Sequence, residues 1–176
     1  MEKRDILSDG EVFAMRQRSE HSRKRLLTGI LLAAWMAVIF WFSAQPAEAS
    51  GEISGTITYR LVSSTGQILH MELSESQVLE YAEKLEHPIR KAAHMTEYAI
   101  LGLLSVFFCR TFSNRTRRIY PIALLMAFCY ACTDEFHQLF VPGRAGQFTD
   151  VCIDTAGALV ALILLYLMEK RRKAQR

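Results

Sequence analysis

His94 and Glu97 stand three residues apart, and Asp134, Glu135, His137 and Gln138 fall within a five-residue window. Lys91 precedes the first pair, Arg144 follows the second group, and Asp150 and Asp154 come shortly after it. An imidazole beside a carboxylate is a proton-handling pair, the carboxylate orienting the ring that takes or gives the proton. Two histidines and several carboxylates on facing helices would equally supply ligands of the kind zinc or iron takes. A salt-bridge network tying helices together uses the same residue types. The spacing is not that of an HExxH site, so these three readings stay open. His94, Glu97, Asp134 and His137 are the candidate catalytic residues and the candidate metal ligands. Lys91, Glu135, Gln138, Arg144, Asp150 and Asp154 are the candidate ligand-binding residues. The sequence names no cofactor.

At about 100° per residue, His94 and Glu97 lie about 60° apart on a helix, flanked by Lys91 and Tyr98. Asp134, His137 and Gln138 share a face, and Glu135 points about 100° away from Asp134. Asp150, Asp154, Gly157 and Ala161 form one stripe that ends in small residues, which lets another helix approach closely. Plainer roles exist for several of these. Asp150 suits the dipole of a helix N-terminus, and Lys91 suits snorkelling to a membrane interface. Arg144 would pair with Asp134 or Glu135, and Pro142, Gly143 and Gly146 would serve only a turn.

The elements that must position these residues are apolar. Four stretches are nearly free of charge: Leu26–Phe42, Ala92–Cys109, Ile119–Cys132 and Val151–Met168. A helix of about 20 residues crosses a hydrocarbon core of roughly 30 Å. The last three stretches carry polar residues at one end and would each suit a soluble core helix. Four of them in 176 residues leave too little other chain to bury them. The expected fold is therefore all-α, a polytopic membrane bundle with spans at about 26–43, 88–109, 119–140 and 149–168. An arm (1–25), a partly helical outer loop (44–87) and a basic tail (169–176) complete it. A cleaved signal peptide fails for the first stretch, because about 25 mostly polar residues precede it and no A-x-A-like site follows within reach.

Sixteen of the 21 lysines and arginines fall in the arm, the segment after span two and the tail. By the positive-inside rule those three segments, and both termini, face the cytoplasm. The same count explains the net charge of +3, and no nucleic-acid motif accompanies it. All the candidate residues then gather at the outward end of the bundle, where ionisable groups at membrane depth are a functional-site hypothesis by default. Cys129-x-x-Cys132 has redox-pair spacing, but in an apolar helix cysteine behaves as a small hydrophobe.

In the outer loop, Ile53, Ile57 and Leu61 recur at helical spacing after Ser50, although a two-residue period also fits. Ser74 with Gln77 makes a capping box ahead of the stripe Val78, Leu79, Ala82 and Leu85. Pro88 and Pro121 suit the first turns of spans two and three. Val141–Arg144 reads as a turn with proline and glycine in its middle, and Thr149 as the N-cap of span four.

Taken jointly, these residues resemble the pattern of VanZ-like proteins. The similarity rests on Phe42-Ser43-x-Gln45, on Arg90-Lys91-x-x-His94-x-x-Glu97-Tyr98, on Asp134-Glu135-x-His137-Gln138-x-Phe140-Val141-Pro142-Gly143-Arg144-x-Gly146 and on Asp150-Val151-x-x-Asp154-x-x-Gly157. It covers roughly residues 30–168. The resemblance implies a multi-pass protein of the bacterial cell membrane. The family takes its name from an accessory member that lowers susceptibility to teicoplanin, a lipid-tailed glycopeptide. The expected partners are membrane lipid and a lipid-linked cell-wall precursor or glycopeptide. Two functional expectations follow, an accessory protein that binds such a ligand in an outward-facing polar pocket and a membrane hydrolase or transferase acting on it. A transporter is disfavoured, because four spans leave little room for two alternating bundles.

Overall fold

The structure, a computed structural model, describes residues 9–175. The reading of residues 1–8 as polar arm and of Arg176 as basic tail lies outside them. Five helices follow in order, α1 (Asp9–Ser43), α2 (Ala47–Ile68), α3 (Glu75–Arg110), α4 (Thr116–Gln138) and α5 (Phe148–Ala174), with no strand among the described residues. All but α2 are long and apolar enough to cross a membrane. The chain is a multi-pass membrane protein. Its surface agrees: Leu26, Leu27, Leu31, Leu164 and Met168 are exposed, whereas Ser43, Ser105, Asp134 and Asp154 are buried. In lipid the apolar side chains gain nothing by turning inward, and the polar ones must.

Helix α3 is the centre. It packs on α1, α2, α4 and α5, and α5 also packs on α4. The α3–α5 contact is the closest. Gly102 faces Ala158, where an added Cβ would lie 3.2 Å from the alanine Cβ, and one at Gly157 would run into the Met95 backbone carbonyl. Gly157 of the expected small-residue stripe thus meets α3, and Ala158 beside it, which is not in that stripe, makes the second close contact. A second stripe, Ala123, Ala127 and Ala131 on α4, is fully buried and leads directly to Asp134 and Glu135.

At 36 residues α3 is far longer than one span needs. Its N-terminal part forms a hairpin with α2 beyond the spanning segment. The capping box is present: the Ser74 side chain accepts from the Gln77 N–H, and the Gln77 side chain accepts from the Ser74 N–H. Helix α2 packs through Thr58 and the close approach of Gly66 to Leu73. Val78 and Ala82 are buried as well, while Ile53, Ile57, Leu61, Leu79 and Leu85 are exposed.

Three sequence expectations change. Pro88 lies inside α3 instead of starting a new helix. It removes one backbone bond, and a side-chain strap spans the gap. Arg90 pairs with Glu86 and donates to Ser54 Oγ (2.7 Å), and Ser54 donates to Glu86 (2.8 Å). Pro121 is in the second turn of α4, since that helix starts at Thr116. The N-cap of α5 is Gln147, two residues before Thr149, and its own side chain makes no capping hydrogen bond.

Gly157→Ala is expected to destabilise the bundle by about 1–3 kcal/mol, because backbone on α3 must move to admit the methyl group. Gly55→Ala, with open space around it, should be neutral or slightly stabilising. Thermal unfolding in detergent compares the two, and equal melting temperatures would rule out the close α3–α5 contact.

Candidate functional site

The end of α1, the middle of α3, the end of α4, the loop 139–147 and the start of α5 meet at one end of the bundle. The loop is tied down from several sides. Arg144 N–H donates to the Val141 carbonyl, and Gly143 has φ 73°, a turn whose third residue needs the left-handed region. The Pro142 carbonyl accepts from Ala47 N–H at the start of α2 (3.1 Å). Gly146 is more than a turn residue: a Cβ there would strike the Glu135 backbone carbonyl.

Arg144 does not pair with Asp134 or Glu135. Its guanidinium donates to the Gln45 carbonyl (2.8 Å) and to the Phe42 carbonyl (3.2 Å), the second of which also accepts the Gln45 N–H at 3.3 Å. Glu135 instead accepts the Gln147 N–H (2.9 Å) and supplies the capping that Thr149 does not. Lys91 forms an ion pair with Asp150, joining α3 to the first turn of α5. Ser43 donates to Asp134 (2.7 Å), and Gln138 approaches the same oxygen at 3.4 Å. The Phe42-Ser43-x-Gln45 step therefore docks α1 on α4 and on the loop at once.

The candidates divide into two groups. Lys91, His94, Glu135, Gln138, Arg144, Asp150 and Asp154 line a half-open cavity of about 410 Å³. Glu97, Asp134 and His137 do not border it. His137 stacks on Phe40 with ring centroids 4.5 Å apart, and its Nε2 is buried without a partner. Asp134 is 2% exposed and one of its oxygens has no partner. Glu97 sits behind the cavity wall, one oxygen 3.6 Å from His94 Nδ1. That is ion-pair distance and too long for a hydrogen bond. Among the described residues no three His, Cys, Asp or Glu side chains converge as metal ligands would. The four cysteines are unbridged.

The cavity also has walls that the candidate set lacked. Ser50 from α2, His87 and Arg90 from α3, and Gln147 and Thr149 at the start of α5 all line it. His87, Lys91 and His94 recur at i, i+4 and i+7, so extending the His94 stripe back through Pro88 would have found His87. Ending the helix at the proline hid that signal. Ser50 had no local signal, because the docking of α2 brings it there. At the floor, Asp154 is 1% exposed and its Oδ1 has no hydrogen-bond partner. The cavity thus offers an imidazole backed by a carboxylate, two arginines and a lysine on its walls, and an unpaired carboxylate oxygen. Such a set can hold a ligand that carries both anionic and hydroxyl or amine groups.

Arg144→Gln is expected to lower stability by roughly 1–3 kcal/mol, since charged hydrogen bonds to two carbonyls are lost. It should also make the loop 139–147 cleavable in limited proteolysis while α3 and α5 stay protected. A loop as resistant as in the wild type would show that Arg144 does not hold it.

The family described as VanZ/LLP1 matches residues 28–169. That span holds every element of the site. No curated protein and no solved structure matches this chain.

Proposed function

Because the chain belongs to the VanZ/LLP1 family, we propose that it is a bacterial cell-envelope protein whose polar cavity binds a lipid-linked ligand at the outer face of the membrane. The ligand class is a teicoplanin-type glycopeptide or a lipid-linked wall precursor, and the role is accessory, in glycopeptide resistance. The observation that carries the reading is the buried Asp154, whose Oδ1 has no hydrogen-bond partner, lining a cavity walled by Arg90, Lys91 and Arg144. A buried polar atom without a partner is costly, and a ligand hydroxyl or amine would satisfy it. The basic walls suit phosphate or carboxylate. The Lys/Arg distribution supports an outward cavity and cytoplasmic termini.

Two measurements test it. In a cysteine-free background, Ala145→Cys, which is exposed, should be labelled by a membrane-impermeant maleimide in intact cells. Labelling only after permeabilisation would reverse the topology and remove the outer-face ligand. Full-length protein in nanodiscs should bind fluorescent teicoplanin or undecaprenyl-linked precursor, and Asp154→Asn should weaken the preferred ligand about tenfold, the loss of one charged hydrogen bond. Unchanged affinity in a folded Asp154→Asn protein would sink the reading.

One observation favours an alternative, a membrane hydrolase or transferase. His94 lines the cavity with Glu97 behind it, the arrangement of a general base and its orienting carboxylate. In that case His94→Gln would abolish turnover of the bound lipid while leaving its affinity intact. For a binding protein His94→Gln would weaken affinity instead.

A further inference from the structure

At the opposite end of the bundle, an apolar groove of about 430 Å³ runs between α4 and α5 on the lipid-facing surface. Tyr120, Pro121 and Leu124 form one wall, and Leu159, Ile163 and Tyr166 the other. Arg117 lines its far end. Thr116 borders both this groove and a second, polar cleft of about 410 Å³ that Arg110, Glu169, Arg172 and Lys173 line. Positions 159, 163, 166 and 173 recur at helical spacing on α5, so one helix face carries the apolar wall into the basic cleft. The single carboxylate in the cleft is already engaged. Glu169 forms an ion pair with Arg110 and accepts from Tyr120 OH at 3.1 Å. Arg117, Arg172 and Lys173 are exposed, and the ion pairs among the described residues leave them without an acidic partner.

We propose that this composite groove binds an anionic phospholipid of the leaflet opposite the polar cavity. An acyl chain lies against Leu159, Ile163 and Pro121, and the headgroup phosphate lies among Arg117, Arg172 and Lys173. Charge complementarity selects the occupant. Three cations with no acidic partner meet a slot that is almost wholly apolar, so a free anion uses only the basic part, and a zwitterionic lipid brings its headgroup cation against three others. Tyr120 and Tyr166, packed edge to face at 5.7 Å between centroids, mark the level between chain and headgroup where amphipathic rings reside. The site is separate from the polar cavity and stands without the proposed function.

The test is native mass spectrometry of the full chain released from nanodiscs holding equal phosphatidylglycerol and phosphatidylcholine, with melting curves as the folding control. The wild type should retain phosphatidylglycerol preferentially. Arg117→Gln, Arg172→Gln and Lys173→Gln combined should cut that preference about tenfold, each cation near the headgroups favouring anionic lipid. Ile163→Trp, which fills the exposed groove, should lose the bound lipid, and glycerol phosphate, a headgroup without chains, should not displace it. Equal retention of the two lipids, or a triple variant with its preference intact, overturns the proposal. Retention by Ile163→Trp, or displacement by glycerol phosphate, also overturns it, because the apolar groove then contributes nothing.

Discussion

Hydrocarbon offers no water to a buried polar group, so each one that a membrane helix carries must find its partner on another part of the same protein. Much of this architecture follows from that constraint. Asp134 takes Ser43, Lys91 takes Asp150, and Arg144 takes the Phe42 and Gln45 carbonyls where α1 ends. Each pairing joins two elements distant in sequence. Together they draw α1, α3, α4 and α5 to one end of the bundle and leave the apolar residues for the lipid. The polar network is thus the clamp, and the cavity is the space it encloses.

Against this background the unpaired atoms are informative. Asp134, His137 and Tyr98 each hold a buried polar atom without a partner in the interior, and Asp154 holds one at the cavity. The interior ones belong to residues that do not border the cavity, whereas Asp154 is among its lining residues. Position separates a residue suited to recognition from residues of the same type that hold helices together.

Helix α3 makes the arrangement continuous. Its N-terminal part carries the α2 hairpin, its middle carries Lys91 and His94, and its last half carries the close contact with α5 through Gly102. A movement of the hairpin would be felt at Ser50, His87 and Arg90, which the cavity shares with it. The Ser54–Glu86–Arg90 strap crosses the level of Pro88, where α3 lacks a backbone bond.

Local chemistry made much of this legible in the sequence. Runs of uncharged residues revealed four spans because a span is a matter of length and composition. The Ser74–Gln77 box and the Pro142–Gly143 turn were readable because caps and turns depend on a few adjacent residues. The alternation of span ends gathered the ionisable groups at one end, and helical spacing indicated which of them share a face. How far each helix is rotated toward its neighbours is not a local property. Only the packed bundle turned His137 onto Phe40, put Glu97 behind the cavity wall and opened Asp154 to it. Only tertiary contacts gave Arg144 to the end of α1 and carried α3 through Pro88, because a helix crosses a proline when packing elsewhere offsets the missing bond.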